Sequence, residues 1–437
     1  MSSMLRWPGV AVIAMLAFGT PGIAADGDET VTEEVLRILN ERGIIEEGDY
    51  ARLVSKNQAY EKEHASRLPR LEFFGEFRGR YESFFYDDDK FDSDQPDRSR
   101  IRYRLRFGAG AEINDYIALK FRLSTGNDHD GRNQTLGSGL DFDPDSFNLD
   151  YAYVDLRPFR AVDAPVAGGY FVARFGKMPN PFRWKIGKDW MLWDGDITPE
   201  GGAIEFGAAP SEALKLWGKV GYFIDDENST SRDPHFLALQ GGGDLAVSEI
   251  LELGGRLSWY SFSSIDSAFL DRNFEEGNVF DGLDGSTGGT GFDVKEVAAY
   301  LRWAGIEDWP VLVYATYARN FDAESSTLFP GIDEEDAAYG IGAEIGDKKK
   351  WVKLGLGFWH VEANAFPGRL TDSNLLDSRT NREGWAVYGS RSILDNTDFN
   401  VTLFFGSDAI DDDLPGLASS VANAERVRLQ TDLVVKF

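Results

Sequence analysis

The chain has 437 residues, 47 of them glycine and none cysteine, with 13% aromatic residues and a formal net charge of −28. Without cysteine there is no disulfide framework, thiol nucleophile or thiolate-bound metal, and the acidic excess argues against nucleic acid as a partner. Mean hydropathy is −0.33 and no run of 18 or more apolar residues follows the N-terminus. That excludes spanning a membrane with helices but not with a β-barrel, whose apolar residues sit at alternate positions.

In chain order, Arg6 precedes an apolar run from Val10 to Phe18, and the small residues Gly22, Ala24 and Ala25 follow. This reads as a secretory signal peptide over 1–25, so the chain is expected to leave the cytoplasm. Residues 26–68 change character: Val31, Val35, Leu36, Ile38 and Leu39 recur at helical spacing, Gly43 interrupts, and Tyr50, Leu53 and Val54 mark a second apolar face. The spacing predicts a periplasmic helical hairpin, serving as a small packing element, a plug or a short oligomerisation segment.

From residue 69 onward the period is two, the mark of strands. Over 70–85, Leu71, Phe73, Phe77, Tyr81 and Phe85 alternate with Glu72, Glu76, Arg78, Arg80 and Glu82. Over 98–113 the alternation sets Ile101, Tyr103, Leu105 and Phe107 against Arg98, Arg100, Arg102, Arg104 and Arg106. A third strand near 116–125 carries Lys120 and Arg122 on its polar parity. Short turns alternate with long acidic loops, as in outer-membrane barrels. Further strands are predicted near 147–157, 168–177, 201–208, 213–224, 234–242, 249–262, 293–304, 309–320, 336–346, 350–362, 383–391, 397–406 and 424–437. The total is about sixteen, an all-β transmembrane antiparallel barrel wide enough to hold water. In the last strand Val427, Leu429, Leu433, Val435 and Phe437 oppose Arg426, Arg428, Gln430, Asp432 and Lys436, and the sequence ends on that aromatic.

Between the fifth and sixth of these strands lies 174–202, far too long for a turn and broken by Pro179, Pro181 and Pro199. It carries Trp184, Trp190 and Trp193, the bases Arg183, Lys185 and Lys188, and the acids Asp189, Asp194, Asp196 and Glu200. Such a loop is expected to fold into the lumen, bury its rings against the wall and narrow the passage with its charges.

Several motifs together resemble the putative porin family of the Gram-negative outer membrane, similar in general plan to the phosphate-selective porins O and P. They are Gly176-Lys177 with Asn180-Pro181-Phe182, the run Trp193-Asp194-Gly195-Asp196, Pro199-Glu200-Gly201, the helical segment LNERGIIEEGDYARL, and Phe437. The resemblance implies an outer-membrane barrel that trimerises and passes small hydrophilic solutes. It does not imply phosphate, because no lysine set of the phosphate channels can be matched here.

The arginine face is the strongest chemical feature. Arg100, Arg102, Arg104 and Arg106, with Arg78, Arg80, Lys120 and Arg122 beside them, form either an anion track or a wall neutralised across strands by Glu72, Glu76 and Glu82. Asp141, Asp143, Asp145 and Asp150 alternate as calcium ligands do, but Pro144 interrupts them and the glycine of a calcium loop is missing, so an acidic solvated loop is the simpler reading. The acidic run 408–413 is the same case, with divalent ions bridging to lipopolysaccharide as its alternative. His64, His129, His235 and His360 have no ligand spacing, and no nucleophile or phosphate-binding motif is present. No cofactor and no enzymatic activity are expected. A passive channel is the first reading, and a plugged structural or adhesive barrel with acidic surface loops the second.

Overall fold

A computed structural model describes residues 31–65, 70–86, 98–126, 131–138, 143–159, 168–189, 191–227, 229, 232–265, 269, 277–278, 291–325, 334–409 and 426–437. The segment 1–25, His129, Asp141 and Trp190 lie outside them. The chain divides into two units, Met1–Leu68 and Pro69–Phe437.

In the first unit, α1 (Val31–Glu41) and α2 (Glu47–Ala65) form the hairpin that the periodicity predicts. Gly43 adopts φ +66° at the turn, a conformation that costs glycine nothing.

The second unit is a closed antiparallel barrel of sixteen strands. In chain order they are β1 (Arg70–Tyr86), β2 (Arg98–Asn114), β3 (Ile117–Thr125), β5 (Phe147–Leu156), β6 (Tyr170–Lys177), β7 (Glu200–Ala208), β8 (Leu214–Ile224), β9 (His235–Ser248), β10 (Leu251–Ser263), β11 (Phe292–Trp303), β12 (Val311–Asn320), β13 (Ala337–Ile345), β14 (Lys353–Val361), β15 (Arg382–Leu394), β16 (Thr397–Asp408) and β17 (Arg426–Lys436). A two-residue strand, β4 (Gln134–Thr135), adds to β2 from the loop after β3. Each barrel strand pairs with its sequence neighbours, and β17 returns to β1 from Glu76↔Lys436 to Tyr86↔Arg426. At this seam Gly75 and Phe437 exchange backbone hydrogen bonds of 2.8 and 3.1 Å. A Cβ on Gly75 would sit 2.3 Å from the Phe437 ring, so the terminal aromatic lies flat only because the facing position is glycine.

The two faces of the wall invert the pattern of a soluble protein. Phe73, Phe175, Leu257, Ile341, Leu356 and Trp385 all point outward and exposed, Phe175 at 69%. A continuous apolar exterior of this kind suits lipid rather than water. The arginines of β1 and β2 point inward. Two connections leave the same end of the barrel and fold inside it: 178–199 between β6 and β7, and 362–381 between β14 and β15. The sequence predicts the first over 174–202, but Arg174–Lys177 pairs with Glu200–Ala203 as wall strands, so its ends are wall and Glu200 is not a loop residue.

Inside the barrel these two loops meet the inward faces of β8 to β16 in one apolar cluster. Phe182, Met191, Leu192 and Trp193 of the first loop and Phe366, Leu375 and Leu376 of the second are fully buried with Phe223, Phe236, Tyr260, Phe292, Tyr314 and Trp359 of the wall. Trp193 packs on Phe366 at 5.0 Å and on Tyr260 at 5.4 Å between ring centroids. Each large apolar side chain removed from water contributes about 1.5–3 kcal/mol, so both loops are held by packing before any polar contact is counted.

Candidate functional site: the arginine wall of the lumen

Strand register builds the opposite wall. Glu82 on β1 lies across from Arg100 on β2 and Gln430 on β17. Its carboxylate is fully buried and accepts from Arg100 at 2.6 Å, Gln430 at 2.8 Å and Arg428, with Arg80 and Arg102 at 3.6 Å. Arg80 also makes a two-pronged bond to Asp432, at 2.6 and 2.8 Å. Glu76 receives Arg104. Glu72 is exposed and outside this network. Cross-strand pairing is therefore real for Glu76 and Glu82, as period-two geometry requires, and absent for Glu72.

The loop 178–199 supplies the next carboxylate. Asp196 pairs with Arg104 at 3.0 Å and with Arg106, so the Trp193-Asp194-Gly195-Asp196 run docks the loop onto the arginine ladder. Asp150 does not join an acidic calcium loop. It faces inward and pairs with Arg122 at 2.7 Å and Arg132 at 3.2 Å, with Arg106 at 3.6 Å.

Other predicted loop residues point elsewhere. Trp184 covers the guanidinium of Arg256 at 4.8 Å, and Arg256 joins Glu296 at 2.6 Å to Asp189 at 3.2 Å, all three buried. Lys188 sits 5.4 Å above the Tyr388 ring, and Gly187, at φ +61°, leaves no space for a Cβ against Tyr314. Arg183 packs on Gly195. Lys185 is exposed, Lys120 is half-buried on the inner face of β3, and Glu200 is exposed and paired with Lys177 at 2.6 Å.

The second loop, 362–381, is missed by sequence reasoning. Its Leu370 carbonyl accepts from the Asp194 amide at 2.9 Å, and its Ser373 amide donates to Asp194 Oδ2 at 2.8 Å. Arg428 donates to the carbonyls of Ser373 and Asn374, both at 2.9 Å, and Arg80 reaches the Asn374 side chain at 3.2 Å. Asp377 takes Arg426 and Arg382. Burial, with Asp196 and Asp372 nearby, raises Asp194 to about 7. Burial also opposes ionisation of Asp196, but Arg106, Arg104 and Arg78 outweigh it and hold that carboxyl well below its usual range.

Between wall and loops an opening of about 230 Å³ remains, lined by Arg78, Arg80, Arg98, Arg100, Arg102, Arg426 and Arg428 and by only two carboxylates, Asp196 and Asp377. Glu82 and Asp432 pair with these arginines without lining the opening. Among the described residues seven guanidiniums thus meet four carboxylates. A larger cavity of about 760 Å³ lies along Ile197 and Thr198, bounded by Gly176, Lys177, Ile224, Asp225 and Arg369.

A closed antiparallel barrel with an apolar exterior and a charged, loop-narrowed lumen has the architecture of a porin. Residues 91–278 match the family described as Putative porin, and nothing in that match singles out the phosphate-selective porins O and P. Among solved structures, the high-pH structure of Pseudomonas putida OprB aligns with a TM-score of 0.52 at 12% identity, over 86% of this chain and 96% of that one, which shows a shared fold. A triple mutant of Rhodopseudomonas blastica porin aligns with a TM-score of 0.43 at 8% identity, over 84% of this chain and all of that one. No curated protein sequence matches the chain.

Proposed function

We propose that this protein is a passive channel of the Gram-negative outer membrane that admits small hydrophilic solutes and prefers anions. The observation that carries the reading is the opening beside β1, β2 and β17, where arginines outnumber carboxylates and low-dielectric walls focus the field. The overall charge of −28 does not oppose this, because charges beyond a Debye length, about 8 Å at physiological salt, are largely screened. In this reading the chain is exported by its N-terminal segment, assembles as a homotrimer in lipid and lipopolysaccharide, and acts without cofactor or catalysis. The arginines Arg78, Arg80, Arg100, Arg102, Arg104 and Arg106 set selectivity, Lys120 and Arg122 add to the same field, and Trp193, Asp194 and Asp196 set the constriction.

The test is the reversal potential of purified protein in a planar bilayer under a potassium chloride gradient. Steady conductance with a chloride-directed potential supports the proposal, and a potassium-directed one contradicts the anion preference. The two interlocked loops favour one alternative, a plugged structural barrel, and absence of conductance in repeated insertions would put it first.

A further inference from the structure

The opening on the arginine wall is more than a positive stretch of lumen. The backbones that carry its guanidiniums lie about 4.8 Å apart on neighbouring strands, and next-but-one positions along a strand about 6.8 Å apart. Its lining contains seven arginines and no lysine, so every cation there is a planar fork that matches a carboxylate or a phosphate in two bonds. Its existing partners are carboxylates: Glu82 and Asp432 already take the forks of Arg80, Arg100 and Arg428.

Among the described residues two of these forks form no ion pair, Arg98, which is exposed, and Arg78, which is half-buried. Arg78, directly across from Arg104, forms no ion pair among the described residues. It donates to the amide oxygen of Asn133, while its Nε is buried and donates to nothing.

We infer that this opening is a binding site for a small polycarboxylate anion, with Arg78 taking one carboxylate and Arg102 and Arg428 flanking the others. The inference rests on the anion-preferring channel proposed above and adds residence to passage. A single monocarboxylate engages one fork. A di- or tricarboxylate engages forks on adjacent strands and offsets two or all three of the excess positive charges. Because Arg428 and Arg80 also hold Ser373 and Asn374, the ligand sits against the second loop.

The experiment measures block of chloride current through the wild-type channel in planar bilayers by acetate, succinate, citrate and inorganic phosphate at fixed ionic strength and pH 7.5. The expected order is citrate strongest, then succinate, with acetate and phosphate at least tenfold weaker than citrate. Arg78→Lys keeps the charge and loses the fork, so it should lose about tenfold in citrate block. Arg102→Lys, which leaves Arg78 in place, should weaken the block less. Chloride preference without citrate block overturns the site and leaves the channel proposal standing, whereas potassium preference removes the anion preference on which the site rests. Phosphate blocking as strongly as citrate overturns the polycarboxylate assignment, as does an unchanged citrate block in Arg78→Lys.

Discussion

The lumen of this barrel has two unlike halves. Along β17, β1 and β2 the inward positions are Arg426, Arg428, Arg78, Arg80, Arg100 and Arg102, facing an opening. Along β9 to β14 they are Phe236, Tyr260, Phe292, Val294, Tyr314 and Trp359, all buried under two loops. Strand period and register are the same in both halves. What differs is what covers the inward face, polar loop contacts around an opening in one half and close apolar packing in the other. Alternation therefore tells which way a side chain points and leaves open what it will meet.

The strongest way to break the contrast is to empty the apolar half. Trp193→Ala removes a fully buried indole that touches both loops and the wall, and should cost about 3–5 kcal/mol. It is expected to lower the thermal unfolding midpoint in detergent and raise single-channel conductance as the loops loosen.

Arg256→Met tests the polar anchor of the same half. It leaves Glu296 and Asp189 buried without their cation and should cost about 3–5 kcal/mol, and a second change, Glu296→Gln, should recover part of that. Urea unfolding of both variants separates lost pairing from lost packing.

A smaller effect is expected at the boundary between the halves. With Asp194 raised to about 7, its folded form binds a proton more tightly than its unfolded form. Loop docking is then firmest below the ordinary aspartate range and weakens as pH rises through 7. Conductance should rise from pH 5 to pH 8 in the wild type and change less in Asp194→Asn, whose amide does not ionise.

Smallest of all is Glu200→Gln. This exposed partner of Lys177 belongs to neither half of the lumen. It should change stability by no more than about 1 kcal/mol and leave the reversal potential unchanged.

Much of this was legible in the sequence. Sixteen strands, the inward arginines and the first infolded loop follow from period two, from charge parity and from three prolines in a stretch too long for a turn. The second loop was not, because Phe366, Leu370, Leu375 and Leu376 are diluted among Gly, Pro, Ser, Thr and Asn. The signal lay in the strands it covers. In β12, Leu312 and Tyr314 point inward while Val313 and Tyr317 point outward, so both parities are apolar and the lumen beside them has to be filled. The role of Arg428 was hidden for another reason. It meets Glu82 across 346 positions of sequence, a pairing that only closure of the barrel creates.

The division of the lumen is tested most directly by cysteine accessibility, which the absence of native cysteine makes clean. Single substitutions Arg102→Cys on the arginine wall and Ala318→Cys on the inward face of β12 would each be exposed to a small anionic methanethiosulfonate while bilayer current is recorded. Rapid modification and a fall in current are expected at 102, and no change at 318, where Ala318 is fully buried. Equal modification at both positions, or block at 318 alone, would contradict that division.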